Sequence, residues 1–184
     1  MILDNISHLI QEITARSLPL RQRVEVAVQN KQKEVLITHI SSYPGIGPKH
    51  YYGFPGGGIE RGQNAETAVK NETLEEVGIK IKNIKKLKSI KPFTLEWGDR
   101  GFNRKAKYAA REITYSGTNT TYYTADYDND DSSILCRDND NINYKFYSIS
   151  KAIRIMRDTI LRFESEDPTK IPIFKARLKV LKSL

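Results

Sequence analysis

Glu72, Glu75 and Glu76 place three carboxylates at i, i+3 and i+4 in the stretch Ala65 to Val77, whose residues are helix-compatible throughout. On a helix advancing about 100° per residue they share one arc, with only Ala65 and Ala68 beside them on the N-terminal side. Like charges stacked this way repel, and nothing basic on the arc relieves them. A hard divalent cation would, because magnesium takes carboxylate oxygens and keeps positions open for phosphate oxygens. The chemistry that fits is metal-assisted reaction at phosphorus. The plain alternative, an acidic surface helix, leaves the glycines that precede it unexplained.

Those glycines belong to Phe54-Pro55-Gly56-Gly57-Gly58-Ile59-Glu60, a run too glycine-rich for regular structure, and Gly78 stands just past the acidic stretch. The pattern is a tight loop feeding a helix. The order of its residues resembles the Nudix box, G-x5-E-x7-R-E-U-x-E-E-x-G-U, where U is a bulky aliphatic residue. Gly57, Glu72, Glu75, Glu76, Gly78 and Ile79 fall on their places, and Glu60 lies in the usual approach to the box. Three positions depart: Gln63 stands where the first glutamate is expected, Asn71 where the arginine is, and Thr73 where the aliphatic residue is.

The resemblance implies an α/β (α+β) fold, an α-β-α sandwich with a mixed, partly antiparallel sheet and the box loop-helix at its centre. It also implies hydrolysis of the pyrophosphate bond of a nucleoside diphosphate derivative, with Mg2+ or Mn2+ as cofactor. Glu72, Glu75 and Glu76 match the family's catalytic, metal-binding glutamates, and the Gly56 carbonyl matches a backbone ligand. The general base is open among Glu72, Glu96 and Glu112. Asn71 lacks the guanidinium that orients a box carboxylate, and Gln63 keeps size but not charge. Because all three helix carboxylates are present, an active hydrolase is expected over a degenerate nucleotide- or RNA-binding module. No signature outside the box selects a substrate, which leaves nucleoside triphosphates, ADP-sugars and dinucleotides. An RNA 5′-end pyrophosphohydrolase, a decapping enzyme, is the runner-up.

The chain has 184 residues, enough to bury a core as one domain over 1–184. Its net charge of +8 favours polyanionic ligands such as nucleotides or RNA without choosing between them. One cysteine, Cys136, cannot form an internal disulfide, and the three histidines show no zinc spacing, so a reducing cytoplasm is the expected compartment. Asp4 and Glu12 interrupt the apolar start, which does not read as a signal peptide, and no run reaches membrane-spanning length, so no membrane partner is expected.

In chain order, Ile2, Ile6, Leu9, Ile10 and Ile13 predict a helix over about 2–16. Val24, Val26 and Val28 alternate with Arg23, Glu25 and Ala27, and with Glu34–Ile40 predict an antiparallel pair; the Pro- and Gly-rich residues 42–53 predict a loop. From Lys80 to Lys91 lysines interleave with Ile81, Ile84, Leu87 and Ile90, which predicts one half-buried strand, or two short ones around a turn, broken near Asn83, whose basic face either tracks RNA or guards an edge. Residues 97–105 predict a loop in which Arg100 and Arg104 could hold substrate phosphates and Phe102 could stack on a base. Strands follow on either side of Ser116-Gly117, and the acidic run from Asp126 lacks the glycine and glutamate of a calcium loop. Ser150 is the expected cap of a late helix. A terminal helix over about 169–184 turns Phe174, Leu178 and Leu181 inward, with Lys175, Arg177, Lys179 and Lys182 as solvating charges. It is expected to pack on the domain or on a second copy, which leaves a homodimer as one assembly.

Overall fold

The computed structural model describes residues 18–41, 50–96, 115–128 and 142–184. The expected helix over 2–16 and the substrate candidates Arg100, Phe102, Arg104 and Glu112 lie outside them.

Strands β1 (Leu20–Gln29) and β2 (Val35–Ile40) pair antiparallel, as their alternation predicts. Asn30 closes the turn by bonding both the backbone N–H and the carboxylate of Glu34. Beyond β1, strand β6 (Gly117–Tyr127) runs parallel to it along its length, and β4 (Ile81–Lys86) and β5 (Phe93–Glu96) pair antiparallel with β6. On the other side β7 (Ile142–Tyr147) pairs with β2, completing a mixed sheet of seven described strands.

Residues 51–53, expected within a loop, instead form β3 (Tyr51–Gly53), antiparallel to β2 at Thr38–Ile40. The cause lies in the parting of β1 and β2 beyond the Gln29–Val35 pair, which leaves backbone groups on both strands to be satisfied. The chain from Tyr51 to Ile59 enters that gap as a wedge. Its first part pairs with β2. Its second part pairs with β1, through Val26 N–H to Pro55 O at 3.0 Å, Val24 N–H to Gly57 O at 2.9 Å and Ile59 N–H to Gln22 O at 2.9 Å.

Helices cover both faces, and the strand period of two sorts the core residues between them. Val24, Val26, Val28, Leu36, Tyr123 and Ala125 pack with Ala68, Val69 and Val77 of α1 (Ala65–Val77). On the other face Ala27, Val35, Ile37 and Tyr122 pack with Met156 and Phe163 of α2 (Ile149–Glu166) and with Phe174 and Leu181 of α3 (Ile171–Lys182). This is the α-β-α sandwich. Because β1 is covered on both sides, the polar residues between its valines are enclosed as well, and Glu25 is only 2% exposed.

The start of α2 differs from expectation. Ser148, not Ser150, caps it, its hydroxyl accepting the Lys151 N–H at 3.4 Å, because β7 ends at Tyr147 and passes straight into the helix. The terminal helix packs on this chain's own α2 and β3, with Phe174 4.9 Å from Phe163 and 6.3 Å from Tyr51 between ring centroids. Arg177, expected among its solvating charges, is turned inward onto Glu25 with its side chain only 13% exposed. In β4, Ile81 is buried while Lys82, Lys85 and Lys86 are exposed, and the break falls at Asn83, a bulge with φ of 52° whose amide donates to Asp126.

Candidate active site

The box helix α1 is held at both ends by local chemistry. Asn64 accepts the Thr67 N–H on its side-chain oxygen at 2.8 Å, and Gly78, at φ of 69°, closes the last turn with its N–H on Leu74 O. Thr73 occupies the place of an aliphatic residue and is fully buried, with its hydroxyl donating to Val69 O at 2.6 Å. Bonding to the preceding turn removes the cost of a free buried hydroxyl, so the departure leaves the helix packed.

The wedge brings the glycines under this helix. A Cβ on Gly56 would stand 2.1 Å from Val24 O and 2.8 Å from Glu25 Cα, so only glycine lets the chain lie this close to β1. From above, Glu76 Oε2 accepts the Gly56 N–H at 2.9 Å. The Glu72 carboxylate rests over Gly57, where a Cβ would come within 2.1 Å of its Cδ. Glu75 is exposed on the same arc.

Burial raises the pKa of Glu72, and the neighbouring Glu75 charge adds to the shift. Burial likewise pushes Glu76 up to about 7, with the Gly56 N–H opposing and the Glu72 charge adding to the rise. Hard oxygen donors that resist ionising beside one another fit a divalent cation, which would relieve both burial and repulsion. Among the described residues no three acidic side chains are gathered round one point in advance. Glu72 and Glu76 lie against the glycine backbone, and the exposed Glu75 is the free member of the set.

Arg21, Arg23 and Glu25 alternate with the valines of β1 and so leave the strand on the face away from α1. Arg23 Nη2 donates to Gly56 O at 3.3 Å, and Arg21 Nη2 pairs with Glu60 Oε1 at 2.9 Å. Gln63 accepts the Glu60 N–H on its side-chain oxygen at 3.0 Å, a turn-closing bond for which an uncharged amide suffices. Glu25 receives Arg177 in two-point fashion, Nη2 on Oε1 at 2.7 Å and Nε on Oε2 at 2.9 Å, while Nη1 donates to Tyr52 O at 3.0 Å. Tyr122 stands beside Glu25 in register; burial, then the Glu25 charge, drive its pKa far up, and its hydroxyl has no hydrogen-bond partner among the described residues.

The structure thus joins Gly56, Gly57, Glu60, Gln63, Glu72, Glu76 and Gly78 in one loop-helix unit, with Glu75 on its outer side and Asn71 exposed. Glu96 is exposed at the end of β5, paired with Gly117, and is separated from the wedge by β6 and β1. Arg21, Arg23 and Arg177 were not singled out by sequence reasoning. The signal available for Arg177 was Glu25: an acid between valines in a strand covered on both faces requires a buried cation.

A family model described as the NUDIX domain matches residues 19–160. No curated protein matches the chain. Among solved structures, a NUDIX hydrolase from Nitrosomonas europaea is similar with a TM-score of 0.52 at 15% identity, covering 76% of this chain and 79% of that one. An Ap4A hydrolase from C. elegans, in a binary complex, has a TM-score of 0.48 at 16% identity over 88% of this chain and 99% of its own. At 15% identity the likeness to the Nitrosomonas europaea structure is one of fold.

Proposed function

The chain belongs to the Nudix family, and from that premise we propose that it is a divalent-metal-dependent pyrophosphohydrolase acting on a nucleoside diphosphate derivative of the nucleoside triphosphate, ADP-sugar or dinucleotide type. The observation that carries this reading is the Glu76 carboxylate, half-buried beside Glu72 and bonded to the Gly56 backbone, where its pKa rises to about 7. Carboxylates so perturbed, brought together on a glycine loop, mark a candidate functional site whose repulsion a divalent cation would relieve.

Glu72, Glu75, Glu76 and the Gly56 carbonyl would hold Mg2+ or Mn2+. The ion, when bound, supplies charge neutralisation of phosphate oxygens and a lowered pKa for water. The chain's own part is to place an acceptor for the proton of the attacking water. Glu72 is the candidate, because its carboxylate rests over Gly57 inside the loop-helix unit where the substrate would meet the box. As oxygen bonds to phosphorus and that proton passes to Glu72, the phosphoanhydride P–O bond breaks and its electron pair leaves with the departing phosphate. Arg21, close to Glu60 and with its charge reaching Glu72, adds positive potential on the side where phosphates would lie.

RNA bearing a 5′ pyrophosphate end is the second reading, favoured by the exposed Lys80, Lys82, Lys85, Lys86, Lys88 and Lys91 that follow the box helix. A screen of purified protein against nucleoside triphosphates, dinucleoside polyphosphates, ADP-ribose, NADH and triphosphorylated RNA, with Mg2+ or Mn2+, tests both. Absence of turnover on every substrate sinks the enzyme reading and leaves a binding module.

A further inference from the structure

We propose that Arg23 is a positioning residue for the box, clamping Gly56 by its carbonyl from the sheet side while Glu76 holds its N–H from the helix side. Gly56 is bonded at both ends, its N–H to Glu76 Oε2 at 2.9 Å and its C=O to Arg23 Nη2 at 3.3 Å. The helix itself offers no guanidinium, since position 71 is Asn71 and exposed. Arg23 comes instead from the central strand. Its backbone bridges Gly58, which fixes where the side chain begins, and the hydrogen bond its guanidinium makes among the described residues runs from Nη2 to Gly56 O, while Nε is buried without a partner.

The charge of Arg23 also opposes the upward pKa shifts of both Glu72 and Glu76, which places it close to both carboxylates. A guanidinium so placed has two ways to matter. It can orient Gly56, whose carbonyl and N–H both belong to the site, or it can contact a substrate phosphate. The geometry favours the first, because the hydrogen bond goes to the backbone of the loop and not outward from it, and the side chain is half-buried there. An error of about 1 Å in a site group costs on the order of a hundredfold in rate, so a clamp at this point acts on turnover more than on binding.

This inference rests on the pyrophosphohydrolase reading only for its kinetic arm. The test is Arg23→Met, with Arg23→Lys as the variant that keeps charge and a donor. In the metal-free protein, amide hydrogen exchange at Gly56 should quicken by about tenfold or more in Arg23→Met, while Val26 and Ile59, bonded across to the wedge and to β1, keep their protection. In the active enzyme kcat should fall by about tenfold or more with KM within about threefold, and Arg23→Lys should recover part of both effects. Unchanged exchange at Gly56, a rise in KM alone, or loss of protection throughout β1 would each overturn the proposal, the last two in favour of a substrate contact and of a purely structural role. If the unaltered protein hydrolyses no nucleotide, the functional reading fails while exchange at Gly56 still decides this one.

Discussion

Arg177 and Glu25, 152 positions apart, form a two-point ion pair inside the protein, so that the last helix is fastened to the central strand beside the glycines of the box. Glu25 Cα is also one of the atoms, after Val24 O, that a Cβ on Gly56 would strike. The latch and the loop therefore share one residue.

Removing one partner of a buried pair strands the other, and Arg177→Met should lower unfolding free energy by about 3–5 kcal/mol. Glu25→Met combined with Arg177→Met should cost less than the sum of the single changes, because neither charge is then left alone. Urea unfolding of the two single variants and the double variant checks this; additive losses would mean that the pair contributes nothing as a pair.

Glu76→Gln should reduce turnover by orders of magnitude with the fold retained, since it removes a charge and not core packing. A folded variant with unchanged kcat would remove Glu76 from the site.

The same residue should set a pH dependence in the metal-free protein. Its folded pKa, raised from 4.5 to about 7, means that its contribution to stability is fully present below 4.5 and is lost as pH rises to 7, because the unfolded chain gives up the proton first. Thermal unfolding in EDTA should show that decline, Glu76→Gln should flatten it, and Mg2+ should offset it above pH 7. A melting temperature that climbs across this window because of Glu76 would contradict the sign.

Gly57→Ala and Gly56→Ala should part company. At Gly57 the added methyl meets the end of the Glu72 side chain, which can move, so turnover should fall by about tenfold with stability changed by about 1 kcal/mol or less. At Gly56 it meets Val24 O and the Glu25 backbone, which cannot, so the fold itself should suffer. Equal melting temperatures for the two variants would disprove this account of the wedge.

Neutralising Lys82, Lys85 and Lys86 should leave small-nucleotide kinetics nearly unchanged, as exposed charges beyond a Debye length of about 8 Å are screened at physiological salt. If RNA is the substrate, the triple variant should lose RNA turnover and flatten its salt dependence. The structure favours the first outcome. Among the described residues β4 pairs only with β6, and lysines on such an edge already have a reason to be there.

Much of this was legible in the sequence because local rules governed it. The acidic helix ran from Ala65 to Val77 as expected, ending at a glycine in the left-handed region, and the β1–β2 hairpin followed its alternation. What escaped were features decided by distant chain segments. Tyr51–Gly53 is a strand because β1 and β2 separate and leave backbone to be paired, which no property of Tyr51 or Tyr52 announces. Arg177 looked like one solvating charge among several on an amphipathic helix, and only the enclosure of Glu25 distinguishes it. Ser148 and Ser150 compete for the same cap, and the end of β7 decides between them.

The parallel pairing of β1 with β6 bears on how the protein is made. Chain emerges from a ribosome at about 5–20 residues per second, so the wedge and the box helix are synthesised seconds before Gly117–Tyr127 can join β1. During that interval β1 has a free edge, and Glu25 has no arginine to face. Non-local strand pairing is also slow to form. The newborn chain should therefore pass through a period in which every box residue is present but β1, the strand the loop lies on, is unpaired along its other edge, and a chaperone that shields an open strand edge would act there.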